Sequence, residues 1–302
     1  MKFFLFILIS SVILINCKSF KQVNKNNYHL SNPPGCIKIN PNFYCDETEI
    51  TNFEWMEYMF WNSKIFGSTS NEYLTSLPDT SVWSKLDSCN CLNDYSVYYL
   101  RHPAYRRFPV VGITQQQAID YTNWRSDRVF EYYLVKLKII EYDPKQTRKT
   151  HFTIDKYYKD SLTTNNSVRK IEYYPCYKLP NISERKVLLR YNDSVFDVSN
   201  KFNQECKNCK NNIKHGQLIQ SDIIPCKNNK IHMLPLLAMY SSGKYIQDLR
   251  GHVAEWTSER FIVAGGGWKD SRESIFQSDT STFFHTNAWI GFRNVCEWKK
   301  WN

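Results

Sequence analysis

The chain has 302 residues, 42% hydrophobic and 16% aromatic, enough for one large domain or two small ones with a sizeable core. Its net charge is +10, but the lysines are scattered and no nucleic-acid motif accompanies them. The balance therefore reads as a solvated basic surface and excludes a nucleic-acid partner. The 20 Tyr and 9 Trp point to a core of amphipathic aromatics, which need hydrogen-bond partners once buried.

At the start, Lys2 precedes the apolar run Phe3–Ile15, too short for an ordinary transmembrane helix and suited to the apolar part of a signal peptide. Cys17 follows directly, and the run Leu14-Ile15-Asn16-Cys17 resembles the lipobox of bacterial lipoproteins. The expected organisation is a signal peptide over 1–17 ending at a lipidated Cys17, a polar tether over 18–35, and one domain over 36–302. No second hydrophobic span follows. Nine cysteines remain, at 36, 45, 89, 91, 176, 206, 209, 226 and 296. In an exported protein some of them should pair, and an odd number leaves at least one free. Cys206 and Cys209, near Cys226 and His215 or His232, have part of a zinc spacing but lack a second CxxC. They read instead as disulfide or free thiol.

Four stretches carry structural grammar. In Phe43–Met56 a short alternating segment ends at Thr51, and Thr51 with Glu54 predicts a capping box that opens a helix with Phe53, Met56 and Phe60 on one face. In 108–118 a short buried strand leads to Thr114 with Gln117, and the helix turns Ala118, Tyr121 and Trp124 or Arg125 toward its neighbours. Asn181 with Glu184 predicts a third helix start. In 245–268, Gly251 sits in a turn, Val253 and Trp256 are core, and a strand at 261–263 meets three glycines that permit close backbone approach or positive φ. Trp289–Arg293 reads as a final core strand. The Lys/Asn-rich intervals near 132–172 and 197–240 read as insertions, the first with a helix through 130–140.

Taken in order, DETEITN (46–52), PVVGITQQQA (109–118), KLPNISE (178–184), DLRGHVAEW (248–256), AGGGW (264–268) and GFR (291–293) resemble the successive motifs of the formylglycine-generating enzyme, or sulfatase-modifying-factor, family. The resemblance implies an α+β, C-type-lectin-like fold with little regular secondary structure and long loops. Within it, FYCDETEITNFEWMEYMFW, YYLRHPAYRRFPVVGIT and NWRSDRVFEYYLV are similar to the gliding-motility lipoproteins of Bacteroidetes. That similarity implies an outer-membrane lipoprotein of the cell envelope, held to the membrane by its lipid and partnered by proteins of the gliding and type IX secretion machinery.

The family's oxidases bind copper(I) through two cysteines just after the glycine motif. Here those positions fall on Asp270 and Ile275, and no cysteine lies between Cys226 and Cys296. A carboxylate is a hard ligand and an isoleucine is none, so no catalytic residue is assigned. A non-catalytic scaffold is the favoured reading, with two alternatives. One is a metal enzyme with replaced chemistry, copper or non-heme iron, with His102, His252 and His285 as iron candidates. The other is a lectin-like binding module displaying residues 269–290. Asp270, Arg272, Glu273, Phe283 and Phe284 are the expected contact surface. No catalytic cofactor is expected. The resemblance brings one structural ion, a calcium at the turn formed by His252, Val253 and Glu255, with histidine in place of the family's asparagine.

Overall fold

The computed structural model describes residues 32–86, 93–163, 171–203 and 245–301; Cys17, the tether to residue 31, Cys89, Cys91, Cys206, Cys209 and Cys226 lie outside them. Strands β1 (Cys36–Asn40) and β2 (Phe43–Asp46) form an antiparallel pair, and β2 is buried along its whole length. Helix α1 (Asn52–Phe66) starts at the expected capping box: Thr51 Oγ1 accepts from Glu54 N at 3.2 Å, and Glu54 Oε2 accepts from Thr51 N at 2.8 Å. Its buried face differs from the expected one. Phe53 and Phe60 are exposed, and the helix packs through Asn52, Trp55, Tyr58, Met59, Asn62 and Ile65. Polar Asn52 is buried with its Nδ2 donating to the carbonyls of Tyr99 and Tyr105, which offsets the desolvation cost of that half of the amide.

Short helices α2 (Asn71–Leu74), α3 (Val82–Lys85) and α4 (Asn93–Tyr98) lead to a 3-10 turn over Pro103–Tyr105. The strand expected near 108–111 is reduced to one bridge between Thr51 and Pro109, although Val110 and Val111 are buried. Gly112 ends it: at φ +74° the chain turns, and a Cβ there would lie 2.4 Å from the Asp79 carbonyl oxygen. Helix α5 (Gln115–Lys136) opens at the Thr114–Gln117 capping box and buries Ala118, Tyr121 and Arg125. The helix expected through 130–140 is the end of α5; a separate helix, α6 (Ile154–Thr163), lies in the first insertion. Strand β3 (Tyr173–Lys178) precedes α7 (Ile182–Asn203), capped as expected by Asn181, whose Oδ1 accepts from Glu184 N at 2.7 Å.

The C-terminal part supplies β4 (Ala254–Trp256), β5 (Ile262–Ala264), helix α8 (Arg272–Gln277), β6 (Thr280–Thr282), β7 (Ile290–Gly291) and β8 (Val295–Lys300). Among the described residues there are two four-stranded sheets, β1-β2-β8-β3, antiparallel throughout, and β6-β5-β4-β7, in which β4 and β7 run parallel. The expected final strand at 289–293 is therefore corrected. Only Ile290 and Gly291 pair, Phe292 and Arg293 are buried on the link between the sheets, and β8 is the last strand.

Aromatics fill the largest core cluster. Trp55 stacks on Tyr121 with ring centroids 5.5 Å apart and meets Phe292 edge-on at 5.9 Å. The buried indoles reach carbonyls: Trp55 to Ser76 at 3.1 Å, Trp256 to Ile113 at 3.0 Å and Trp268 to Ala288 at 3.0 Å. A second cluster joins Ile37, Phe43, Cys45 and Val295 of the first sheet to Leu188 of α7, with Ile246 and Leu249. The fold is thus mixed α+β, with short strands set between long loops. Among the described residues no helix is long and apolar enough to cross a membrane.

Candidate functional site

The sequence motifs meet in a buried ionic cluster. Glu255 of β4 accepts from Arg293 Nε at 2.6 Å through one oxygen and from Arg185 Nη1 at 2.9 Å through the other, and all three side chains are essentially inaccessible. Burial raises the Glu255 carboxyl, against the pull of Arg293 and then Arg185. Arg293 also donates to the carbonyls of Asp46, Glu47 and Gln247. Arg185 reaches Asp279 at 2.9 Å and the Leu249 carbonyl. Nearby, Asp46 accepts from Arg125 at 2.7 Å and from Asn294 N at 3.0 Å. Such pairs persist in a dry interior only when hydrogen bonds satisfy both partners. Sequence reasoning turned Trp124 or Arg125 toward the helix's neighbours without naming a partner, and it did not assign Arg185 or Asp279. Arg185 directly follows the KLPNISE motif, and its position on the first turn of α7 aims it at Glu255.

The glycine segment fits around this cluster. Gly265, at φ +92°, leaves room for Arg185: a Cβ there would lie 2.6 Å from its Nη2. Gly266, at φ +65°, lies against Ile275, whose Cγ1 a Cβ would meet at 2.5 Å. Ile275 is buried on α8 and fills that space. Asp270 accepts from Gly267 N at 2.7 Å and so closes the turn after the glycines. The two positions expected for a copper(I) pair thus hold a backbone-bonded carboxylate and a packed hydrocarbon, and the residues present do not fit that ion.

The expected contact surface is divided. Phe284 is exposed at 66%, beside Phe261 at 5.1 Å. Phe283 is not its exposed twin: it is half-buried against the core, its ring 6.2 Å from Trp289, because its backbone pairs with Phe261 and turns the side chain inward. Asp270 serves the turn. Arg272 and Glu273 lie on the first turn of α8, but their side chains lie outside the described ones. The segment 269–290 is not an open display loop, since it contains α8, β6 and the start of β7.

The calcium expected at His252, Val253 and Glu255 does not fit either. Both Glu255 oxygens are occupied by guanidinium groups, and a cation there would face two positive charges. His252 turns instead to Glu49, with Nδ1 3.0 Å from Oε1, and both are buried. Burial acts to raise the Glu49 carboxyl, but His252 and then Arg293 hold it below its usual range. Asp248 joins these two, the three ligand-type atoms lying within 4.8 Å of one another. His102 caps the 3-10 turn through Ala104 N, His285 is exposed, and neither enters a ligand cluster among the described residues. The described cysteines, Cys36, Cys45, Cys176 and Cys296, are all unpaired. Burial raises the thiols of Cys36, Cys45 and Cys296, which suits inert packing rather than reactivity.

No curated protein matches the chain. Among solved structures, the crystal structure of CarF is similar, with 14% identity over 84% of this chain and 86% of that one and a TM-score of 0.37. The family model for the sulfatase-modifying factor enzyme 1-like domain matches residues 9–298. That match takes in every motif that builds the ionic cluster, and the chain belongs to the sulfatase-modifying factor enzyme 1-like (FGE-sulfatase) domain family.

Proposed function

We propose that the chain is a non-catalytic, lipid-anchored envelope protein acting as a scaffold or interaction subunit of gliding motility and type IX secretion. One observation carries the non-catalytic part: Asp270 is held by Gly267 N and Ile275 is packed behind Gly266, where the oxidase reaction requires two thiolates. Neither side chain is a ligand for copper(I). The anchor is argued from the apolar run ending at Cys17, and the biological setting from the similarity of three segments to gliding-motility lipoproteins. The family fold by itself assigns no activity.

Two measurements test this reading. Purified protein given copper(I), oxygen and a cysteine-containing peptide should leave the thiol unconverted; oxygen-dependent conversion would overturn the non-catalytic assignment. Affinity purification from the native envelope, read by mass spectrometry, should return an acylated Cys17 peptide together with components of the secretion machinery. Wild-type spreading and secretion in a deletion strain would remove the biological assignment.

A further inference from the structure

The Glu49–Asp248–His252 cluster borders the ionic lock around Glu255, touching it through the 3.9 Å pair of Glu49 with Arg293, and its geometry asks for an occupant. Glu49 and His252 are fully buried and Asp248 is half-buried. The 3.0 Å between His252 Nδ1 and Glu49 Oε1 corresponds to one proton held between them. It is a few tenths of an ångström short of the roughly 3.3–3.6 Å that a tetrahedral ion with bonds of about 2.0–2.2 Å sets between two ligand atoms, so binding would part the pair only slightly. A second observation is independent of that spacing. Glu49 Oε2 is buried with no hydrogen-bond partner. Arg293 Nη2 stands 3.9 Å away, but Arg293 directs its donors to Glu255 and to the carbonyls of Asp46, Glu47 and Gln247. A buried carboxylate oxygen with no hydrogen bond and only a long ion pair is under-satisfied, which leaves it a place for a closer partner.

We propose that Glu49, Asp248 and His252 hold one divalent transition-metal ion of the zinc class, as a structural clamp between segment 46–52 and the turn 248–252. One imidazole and two carboxylates suit such an ion; copper(I) prefers sulfur, and calcium prefers an all-oxygen set. The two segments already approach through Gln247 N and the Glu47 carbonyl at 2.7 Å. Positive φ at Asp248 (52°) and His252 (59°) folds the turn so that both side chains reach Glu49. Binding replaces waters of the aqua ion with one metal–nitrogen and two metal–oxygen bonds, leaves a water in the remaining position, and releases to solvent the proton held between Nδ1 and Oε1. The clamp requires no turnover, so it stands or falls apart from the non-catalytic reading.

The test uses the metal-free full chain titrated with cobalt(II), zinc(II) or calcium(II) alone. One cobalt per chain should bind, giving weak visible bands without thiolate charge transfer, and zinc should displace it. The unfolding midpoint should rise by roughly several degrees at ion concentrations well above Kd. His252→Asn removes the nitrogen and Asp248→Asn one oxygen. Each should weaken binding by more than the roughly 10–100-fold that outer-shell partners of a metal contribute. If His252→Asn does not fold, Asp248→Asn decides beside the wild type. Lack of stoichiometric binding overturns the proposal. So do a thiolate spectrum, unchanged affinity in the variants, and occupation by calcium in preference to zinc.

Discussion

Substituting Glu255→Gln isolates the buried ionic cluster. The side chain keeps its shape, but one oxygen becomes an amide that donates, facing a guanidinium that also donates. Arg293 at 2.6 Å and Arg185 at 2.9 Å lose a full negative charge while remaining buried. Removing one partner of a buried pair costs about 3–5 kcal/mol, because the remaining charge is uncompensated. Part of that cost is offset here: Arg185 keeps Asp279 at 2.9 Å, and Arg293 keeps three carbonyls and lies 3.9 Å from Glu49. The expected loss is therefore about 3–4 kcal/mol, against a usual total stability of about 5–15 kcal/mol. At roughly 2–4 °C per kcal/mol for a domain near this size, the midpoint should fall by about 6–16 °C. Urea unfolding followed by tryptophan fluorescence measures it, with an unchanged denaturant slope showing that the native and unfolded states remain comparable. A loss below about 1 kcal/mol would refute the claim that Glu255 holds the two arginines in the core.

Burial pushes the Asp127 carboxyl up to about 6, against the opposing bond from Ile154 N at 2.8 Å. The folded state therefore takes up this proton more readily than the unfolded chain, and the group's contribution to stability is lost as pH rises from about 4 to about 6. Asp127→Asn keeps an oxygen for Ile154 N and should stabilise the protein by roughly 2–3 kcal/mol at pH 8 and not at pH 4; equal effects at both pH values would contradict the assignment. Phe283→Ala should cost about 1–2 kcal/mol, whereas the exposed Phe284→Ala should stay within about 0.5 kcal/mol, and equal losses in thermal denaturation would show that the pair is not divided as described. Ile275→Ala opens a void behind Gly266 and should cost about 2–4 kcal/mol; a neutral result in the same assay would mean that the space collapses or was never filled.

Local chemistry was the legible part of this fold. The helix starts at Thr51, Thr114 and Asn181 follow from hydroxyl or amide oxygens placed three residues before a glutamate or glutamine, a pattern that needs no tertiary information. The glycine run was legible for the same reason, since few other residues tolerate the conformations of Gly265 and Gly266. The buried face of α1 was not. A hydrophobicity count favours Phe53 and Phe60 over Asn52, Tyr58 and Asn62, and it is the distant carbonyls of Tyr99 and Tyr105 that offset part of the cost of burying Asn52. The ionic cluster was hidden because charged residues in a sequence read as surface. Glu49, Arg185, Glu255 and Arg293 come from four separate segments, and their pairing depends on register between elements far apart in the chain. The motifs pointed to the right residues, yet their visible role is to hold one another.

The pairing of β8 with β2 and β3 has a consequence for biogenesis. The strand that joins β2 to β3 in the first sheet follows both of them by more than 100 residues in the chain, so that sheet cannot close while the ribosome is still upstream of it. Until residues 295–300 emerge, β2 has one unpaired edge, and Phe43 and Tyr44 lack the partners that Glu297 and Cys296 give them across it. By the same logic, a stop codon just before Val295 should yield a chain that is made in full measure but degraded rather than accumulated.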